Sequence, residues 1–192
     1  MYIYLIRHGE IEANEKRLYC GRTDVSLSEK GFDHIADLKK QGVYPRKVDL
    51  FFTSGLLRAE QTVEYIYGSV HAQIISALAE FDFGQFEMKN YEQLKGRPDY
   101  QAWITDKTGL VPCPGGESKQ RFLARVLRGY HTLIKQSEGA DSVLLASHGG
   151  VIACVMDDLF PHTRDFYEWQ PGPGRGYTLT YTSGKLCGYK KI

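Results

Sequence analysis

Short β-rich runs of apolar residues alternate with helix-length stretches along this chain, and this alternation constrains the fold more than any other feature. Strands are predicted at residues 2–6, 48–53, 73–76 and 142–147. Helices are predicted at residues 28–41, 56–67, 118–137 and 151–160. Alternating strands and helices are typical of a mostly parallel sheet with helices on both faces. The sequence therefore predicts an α/β fold, a three-layer α/β/α sandwich.

Local patterns assign two parts of this sheet. Residues 143–146 are apolar throughout, as expected for a central strand that is covered on both faces. Residues 177–182 and 185–192 flank Ser183 and Gly184, a two-residue signal for a β-hairpin. The mostly parallel sheet is therefore predicted to have an antiparallel C-terminal edge.

Length and charge limit the class of protein. The 192 residues fit one domain at roughly 150 residues per domain, so residues 1–192 are predicted to form a single domain. The glycine- and proline-rich residues 77–117 are predicted to form a lid-like insertion over the sheet. The net charge of +1 excludes a protein that binds nucleic acid through bulk positive charge. No run reaches the roughly 18 uncharged apolar residues that a membrane-spanning helix needs, so no membrane partner is predicted.

The cysteines and the first residues bear on the compartment. Cys20, Cys113, Cys154 and Cys187 are far apart and lack CxxC spacing, so neither a zinc site nor a disulfide framework is predicted. The apolar residues 1–6 have no basic residue before them, which favours a strand over a signal peptide. We expect a cytoplasmic protein.

Reactive residues follow three of the predicted strands directly. Arg7 and His8 follow the first strand, Arg58 opens the helix after the second, and His148 follows the fourth. Ligands of open α/β sheets bind beyond the carboxyl ends of the strands, so these four side chains are expected to converge. Glycines beside both histidines allow a close approach of the backbone to a ligand. The set predicts a site for an oxyanion, most plausibly phosphate.

Each residue has an ordinary structural explanation when it is taken alone. A histidine after a buried strand is more often a hydrogen-bonded structural residue than a catalytic one. Arg58 at a helix start is more often solvated or paired with a residue such as Glu60, and Glu80 alone would pass for a surface carboxylate. The convergence at three strand ends is what favours a functional interpretation.

Five motifs resemble those of the histidine phosphatase superfamily, which includes the cofactor-dependent phosphoglycerate mutases. They are LIRHGE at 5–10, GRTDVSLSEKG at 21–31, TSGLLRAEQT at 53–62, EFDFGQFE at 80–87 and SHGG at 147–150. They occur in family order and cover nearly the whole chain. The resemblance implies a phosphoglycerate mutase-like fold and a histidine acid-type phosphatase, that is, a phosphoric monoester hydrolase.

The resemblance also implies the catalytic roles. His8 would be the nucleophile and would form a phosphohistidine, which requires it to be neutral. Arg7, Arg58 and His148 would disfavour its protonation and would bind the equatorial phosphoryl oxygens. Glu80 would protonate the leaving alcohol and then act as base on the water that hydrolyses the phosphohistidine. No metal or other cofactor is implied, because side chains supply the positive charge.

Further positions are implied to contact phosphate. In addition to Arg7 and Arg58, they are Asn14, Cys20, Gly21 and Gly149. Glu87 occupies a second acidic position of the family pattern and is the rival of Glu80 for the role of general acid.

Two departures from the mutase pattern favour a hydrolase. The segment after Glu80 lacks an adjacent arginine pair, since Lys89, Lys95 and Arg97 are the only cations nearby. Gly150 stands where the mutases commonly carry a side chain that binds substrate. Short pieces at 19–21, 86–88, 102–103 and 114–118 look most like the α-ribazole phosphatase group. The expected partner is a small phosphorylated metabolite, with α-ribazole 5′-phosphate as one candidate.

Other functions stay open at this point. A mutase would return the phosphoryl group to another position of its product, and a non-catalytic phosphate-binding module would use the same cations without turnover. A metallohydrolase built on His8 and His148 would need ligand pairs at short spacing, which the sequence lacks. A monomer and a homodimer are both compatible with the sequence.

Overall fold

The computed structural model describes residues 1–192 and contains one six-stranded sheet. Its strands are β1 (Tyr2–Arg7), β2 (Leu50–Thr53), β3 (Ala72–Ile74), β4 (Ser142–Ser147), β5 (Gly176–Thr182) and β6 (Lys185–Lys191). Their order is β3-β2-β4-β1-β5-β6. The first four strands run parallel, while β5 pairs antiparallel with β1 and β6 antiparallel with β5. The predicted mostly parallel sheet with an antiparallel C-terminal edge is confirmed.

Seven α-helices accompany the sheet. They are α1 (Glu12–Glu15), α2 (Glu29–Lys40), α3 (Leu57–Tyr67), α4 (Tyr91–Leu94), α5 (Pro98–Ile104), α6 (Lys119–Gln136) and α7 (Gly149–Leu159). Single 3-10 turns occur at Ser76–Leu78, Gly84–Phe86 and Phe166–Trp169. None of the helices is both long enough and apolar enough to span a membrane.

The central strand β4 contributes to two hydrophobic cores, one on each face of the sheet. All six of its residues are buried. Leu145 packs into a core of 26 residues, whereas Leu144 and Ala146 pack into a second core of 12 residues. Successive side chains of a strand point to opposite faces, so both faces of the sheet are covered. The predicted three-layer sandwich is confirmed.

Local sequence explains how several elements begin and turn. The hydroxyl of Ser118 accepts a hydrogen bond from the N–H of Arg121 and caps α6. The inner face of α6 is buried, including Phe122 and Val126. In the C-terminal hairpin, Ser183 and Gly184 have φ values of 49° and 74°, the left-handed pair that a tight two-residue turn requires.

Some boundaries differ from those predicted. The helix after β4 begins at Gly149 rather than at residue 151, because His148 takes the extended capping position and the two glycines form the first turn. The strand predicted at 73–76 ends at Ile74, since the chain winds into a 3-10 turn at Ser76–Leu78. The segment from 77 to 117, for which no helix was predicted above, contains two short helices, α4 and α5.

The register of the sheet brings the reactive strand ends together. Arg7 of β1 pairs with Ser147 of β4, and Thr53 of β2 pairs with Ala146. The N–H of His8 donates to the carbonyl of Ser147 at 2.9 Å. The three strands therefore end nearly level.

Candidate active site

His8 is buried at the end of β1 with one ring nitrogen free to react. Its side chain is 4% exposed. Nδ1 lies 2.6 Å from the carbonyl oxygen of Gly9. A carbonyl oxygen can only accept, so Nδ1 carries the hydrogen and Nε2 keeps its lone pair. Burial, reinforced by Arg58 and Arg7, holds the pKa of His8 well below its usual value. The geometry presents a neutral imidazole with a nucleophilic Nε2.

The peptide group that orients His8 is itself fixed by α3. The N–H of Gly9 donates to Oγ1 of Thr62 at 3.0 Å. The Thr62 hydroxyl in turn donates to the carbonyl of Arg58 at 2.7 Å. Thr62 thereby connects the backbone beside the histidine with the backbone of the arginine.

Arg58 is completely buried at the start of α3, and its guanidinium is held by a loop. Nη2 donates to the carbonyl of Gly21 at 2.7 Å and Nη1 to that of Thr23 at 3.0 Å. Its Nε has no partner in the protein. Arg7 is similar, since Nη1 donates to the carbonyl of Pro171 at 2.8 Å while its Nε lacks a partner.

Neither guanidinium forms an ion pair. Burial lowers the pKa of both Arg7 and Arg58. Glu80 acts on both arginines through space, but a buried guanidinium without a direct ion pair is unfavourable, and a bound anion would relieve that cost.

His148 caps α7 and lies beside His8, with ring centroids 5.2 Å apart. Its Nε2 is 2.8 Å from Oγ of Ser54, and its Nδ1 is buried without a partner. Ser54 Oγ also accepts from the N–H of Leu56 at 3.3 Å, and Nε2 of His148 is the only acceptor that the protein offers to the serine hydrogen. The serine therefore donates to Nε2, and Nδ1 carries the hydrogen. Burial, together with Arg58 and His8, holds the pKa of His148 well below its usual value.

Unpartnered donors are concentrated in this cluster. Five buried side-chain nitrogen atoms in the chain lack a hydrogen-bond partner, and three of them are Nε of Arg7, Nε of Arg58 and Nδ1 of His148. Buried donors are nearly always satisfied in native proteins. Their concentration around a neutral histidine indicates a ligand with several acceptor oxygens, such as a phosphoryl group.

Glu80 approaches this cluster from the segment that precedes α4 and α5. Its Oε2 accepts from the N–H of Gly150 at 3.0 Å and its Oε1 from the N–H of Phe81 at 2.9 Å. A β-carbon at position 150 would lie 2.5 Å from Oε1, so the glycine leaves the space that the carboxylate occupies. Glu80 is partly exposed, which leaves it accessible to a ligand.

Glu87 is engaged by the protein far more completely. It accepts from the N–H groups of Gly21, Arg22, Thr23 and Phe83 at 3.0, 2.9, 3.3 and 3.1 Å. The hydroxyl of Thr23 adds a fifth hydrogen bond at 2.7 Å. The carboxylate thus joins two loops, and this geometry favours Glu80 over Glu87 as the carboxyl group that meets a ligand.

The remaining residues predicted to contact phosphate lie in the same region but differ in whether they have a polar group free to bind it. Asn14 accepts from the N–H of Ile11 at 3.2 Å through its oxygen, which leaves its amide nitrogen as a donor. Cys20 is half-buried near Arg58, and burial raises the pKa of its thiol. Gly149 occupies the first position of α7.

Gly21, another residue predicted to contact phosphate, has both of its backbone polar groups hydrogen-bonded within the protein. Its N–H donates to Glu87 and its carbonyl accepts from Arg58. A β-carbon there would lie 1.7 Å from the carbonyl oxygen of Phe81, so no larger residue fits. Gly21 thus packs two loops together and helps to hold Arg58, and its contact with phosphate stays a prediction.

Several aromatic side chains lie within or beside residues 77–117. Tyr19 packs against Phe83 with ring centroids 5.0 Å apart, and both are half-buried. Trp103 and Tyr100 of α5 are buried, whereas Tyr91 is 55% exposed. Of this set only Tyr19 and Phe83 are half-buried, and both pack against the buried ring of Trp103.

Four supporting residues were not identified from the sequence. Ser54 and Thr62 lie inside a recognised motif, and their position in that motif was the available signal. Glu117 lies in the family-like piece at 114–118, whereas Arg125 carried no comparable signal for a role at the site, because its contacts run from α6 to a distant loop. No third histidine, cysteine or carboxylate joins His8 and His148 in a group that could hold a metal ion.

Comparisons with known proteins agree with this geometry. The family model described as the histidine phosphatase superfamily (branch 1) matches residues 3–186. The chain is 31% identical over 163 residues to the adenosylcobalamin/alpha-ribazole phosphatase of Escherichia coli (strain K12), covering 83% of this chain and 79% of that protein. It is 33% identical over 175 residues to the 2,3-bisphosphoglycerate-dependent phosphoglycerate mutase of Methylorubrum extorquens (strain PA1), covering 84% and 81% respectively.

A solved structure shows the same fold. The crystal structure of the alpha-ribazole phosphatase from Shigella flexneri has a TM-score of 0.85 to this chain at 26% identity, covering 97% of this chain and 93% of that one. The five motifs, the fold and the family match lead to one assignment. The chain belongs to the histidine phosphatase superfamily (branch 1) and is an enzyme of that superfamily.

Proposed function

We propose that this protein is a phosphomonoesterase that transfers the phosphoryl group of a small metabolite to Nε2 of His8 and then to water. The observation that carries the proposal is a neutral, buried histidine with a free Nε2, surrounded by side chains that retain unpartnered N–H donors. Among the relatives are enzymes named as phosphatases, which supports the hydrolytic reaction.

The first step is in-line attack on phosphorus. The lone pair of His8 Nε2 forms a bond to phosphorus while the bond from phosphorus to the leaving oxygen breaks. Arg7, Arg58 and His148 donate to the equatorial oxygens, where negative charge accumulates in the transition state. Glu80 in its protonated form gives its proton to the leaving oxygen, which departs as an alcohol.

The second step regenerates the enzyme. Glu80, now a carboxylate, accepts a proton from water as the water oxygen attacks phosphorus. The bond between phosphorus and Nε2 breaks, and its electron pair returns to His8. Inorganic phosphate leaves, and Glu80 is again protonated. The guanidinium groups of Arg7 and Arg58 supply the positive charge and the neutral His148 adds an N–H donor, so the proposed mechanism uses no metal or cofactor.

We propose α-ribazole 5′-phosphate as the substrate. Relatives named for alpha-ribazole phosphatase in sequence and in structure support this choice. The half-buried rings of Tyr19 and Phe83 offer an apolar surface on which a planar leaving group could stack. In this proposal residues 77–117 act as a lid, joined to the loop at 19–23 through Glu87 and through hydrogen bonds between Tyr19 and residues 88 and 89.

The alternative is a phosphoglycerate mutase, because relatives of that name are similarly close. Its substrate would need cations for a second acidic group. Lys95 pairs with Glu92, Arg97 pairs with Asp99, and Lys89 donates to a backbone carbonyl. With these cations engaged and with no side chain at Gly150, the hydrolase is the better supported function.

The first test measures phosphate release from p-nitrophenyl phosphate in excess EDTA. We expect the activity to survive the chelator and to vanish in His8→Ala, because no other group can replace the nucleophile. Activity that EDTA abolishes, or that His8→Ala retains, would contradict the proposal.

The second test separates the two candidate functions. α-Ribazole 5′-phosphate is compared with 3-phosphoglycerate, the latter with and without 2,3-bisphosphoglycerate. We expect phosphate release from the former. Transfer between positions of phosphoglycerate that the bisphosphate stimulates, without phosphate release, would instead establish a mutase.

A further inference from the structure

A poorly exposed ion pair lies behind Glu80. Arg125 projects from α6 toward Glu117, and the two side chains are 19% and 12% exposed. Nε of Arg125 is 3.2 Å from Oε2 of Glu117, and Nη2 donates to Oε1. The two residues therefore form a bidentate pair, the geometry that a guanidinium and a carboxylate prefer.

The remaining donors of Arg125 reach the backbone that carries Glu80. Nη1 donates to the carbonyls of Ala77 at 2.9 Å and Ala79 at 2.8 Å, and Nη2 donates to the carbonyl of Glu80 itself at 3.2 Å. A planar group with five N–H donors can make this set of contacts, whereas a lysine ammonium has three donors and cannot.

Glu117 fixes the chain on the other side of Glu80. Its Oε1 accepts from the N–H of Asp82 at 2.9 Å, and its own N–H donates to the carbonyl of Asp82 at 3.0 Å. The ion pair thus holds the backbone both before and after Glu80. The carboxylate is then directed by the N–H groups of Phe81 and Gly150.

The segment needs such support because regular structure contributes little to it. Glu80 lies in no strand or helix, and the nearest regular element before it is the 3-10 turn at Ser76–Leu78. Buried ion pairs contribute little net stability compared with apolar packing. Proton transfer, in contrast, depends on the placement of the acid to within a fraction of an ångström.

We infer that Arg125 and Glu117 are positioning residues that hold the general acid Glu80 against the leaving oxygen. The inference rests on the proposed function. It assigns the two residues an effect on protonation of the leaving group, distinct from binding of the phosphoryl group.

The test compares two matched esters, p-nitrophenyl phosphate and phenyl phosphate. Nitrophenolate leaves with little protonation, whereas phenolate needs the acid. We expect Arg125→Met to lower kcat/KM for phenyl phosphate by about 10- to 100-fold, part of the 10²–10⁴ that a general acid supplies. The value for p-nitrophenyl phosphate should change by less than about threefold, and that activity also shows that the variant is folded. Arg125→Lys and Glu117→Gln should shift the ratio in the same direction.

The matched control is Arg128→Met, which removes an exposed arginine from the same helix. It should leave the ratio of the two kcat/KM values unchanged. A double variant adds a stricter criterion: in Glu80→Gln, the further change Arg125→Met should cost phenyl phosphate turnover almost nothing, because positioning a missing acid has no effect.

Two results would overturn the inference. If Glu80→Gln favours p-nitrophenyl phosphate but Arg125→Met slows both esters equally, the ion pair is merely structural and the proposed acid stands. If Glu80→Gln also slows both esters equally, the acid assignment of the proposed function fails as well.

Discussion

Two clusters of polar groups lie side by side in this protein, and they differ in how completely they are hydrogen-bonded. Around Glu87 five donors from two loops meet one carboxylate. Around His8 three neighbouring donors have no protein partner, and Nε2 of the histidine is free. The first cluster completes its hydrogen bonds within the fold and so contributes stability. The second leaves them incomplete, and a substrate can complete them.

Glu80 and Glu87 give the sharpest form of this comparison, because they are seven residues apart and of the same type. We expect Glu80→Gln to reduce phenyl phosphate turnover by about 10²–10⁴ with little change in the free energy of unfolding. Glu87→Gln should instead lower the free energy of unfolding by about 2–4 kcal/mol, because an amide faces five donors with only one acceptor oxygen.

Steady-state kinetics and urea unfolding of the two variants check this pair of outcomes. Glu92→Gln is the control, since Glu92 is an exposed carboxylate that pairs only with Lys95 and should change stability by less than about 0.5 kcal/mol. The opposite outcome, in which Glu87→Gln slows phenyl phosphate more than p-nitrophenyl phosphate and Glu80→Gln does not, would contradict these roles.

A smaller effect is expected from Ser54. Its hydroxyl donates to Nε2 of His148 and so keeps a hydrogen on Nδ1, directed toward the unpartnered side. We expect Ser54→Ala to lower kcat by about tenfold, the order of one weakened donor to the transition state. The nitrogen-15 shifts of His148 should change from the Nδ1–H tautomer to a mixture.

Ser26→Ala is the matched control, because Ser26 is exposed. It should alter neither kcat nor the His148 spectrum. An unchanged His148 tautomer in Ser54→Ala would contradict the role given to this serine.

A further effect is a pH dependence of the free energy of unfolding. Burial lowers the pKa of His8 and of His148 in the folded state below the ordinary value of about 6.5 that applies when the chain unfolds. The unfolded chain therefore binds protons first as the pH falls. The free energy of unfolding keeps its full value above about pH 6.5. Below that pH it falls by about 0.7 kcal/mol per histidine for each half pH unit.

Urea unfolding at intervals from pH 7 to pH 5.5 measures this slope. His8→Asn should reduce the slope by about half, because only one of the two buried histidines remains. A slope that does not change in His8→Asn would mean that His8 is not buried and neutral as described.

The site was more predictable from sequence than its support. His8 and His148 follow apolar runs that are visible as strands, and parallel strands end at a common edge, so their meeting could be inferred. The contacts of Arg125 could not, because they join α6 to backbone carbonyls about 45 residues away, and carbonyls have no sequence signature. Gly21 was assigned to phosphate from its place in the family-like motif at 21–31. A motif does not show which groups the backbone of a glycine contacts.

Trapping the phosphoenzyme is the most direct test of the proposed mechanism. Glu80→Gln is mixed with p-nitrophenyl phosphate, quenched within milliseconds, and examined by mass spectrometry and phosphorus-31 NMR. We predict a burst of about one nitrophenolate per enzyme. The phosphoryl group should be on Nε2 of His8, because Nδ1 donates to the carbonyl of Gly9. Phosphate on another residue, phosphate on Nδ1, or steady turnover of this ester in His8→Ala would contradict it.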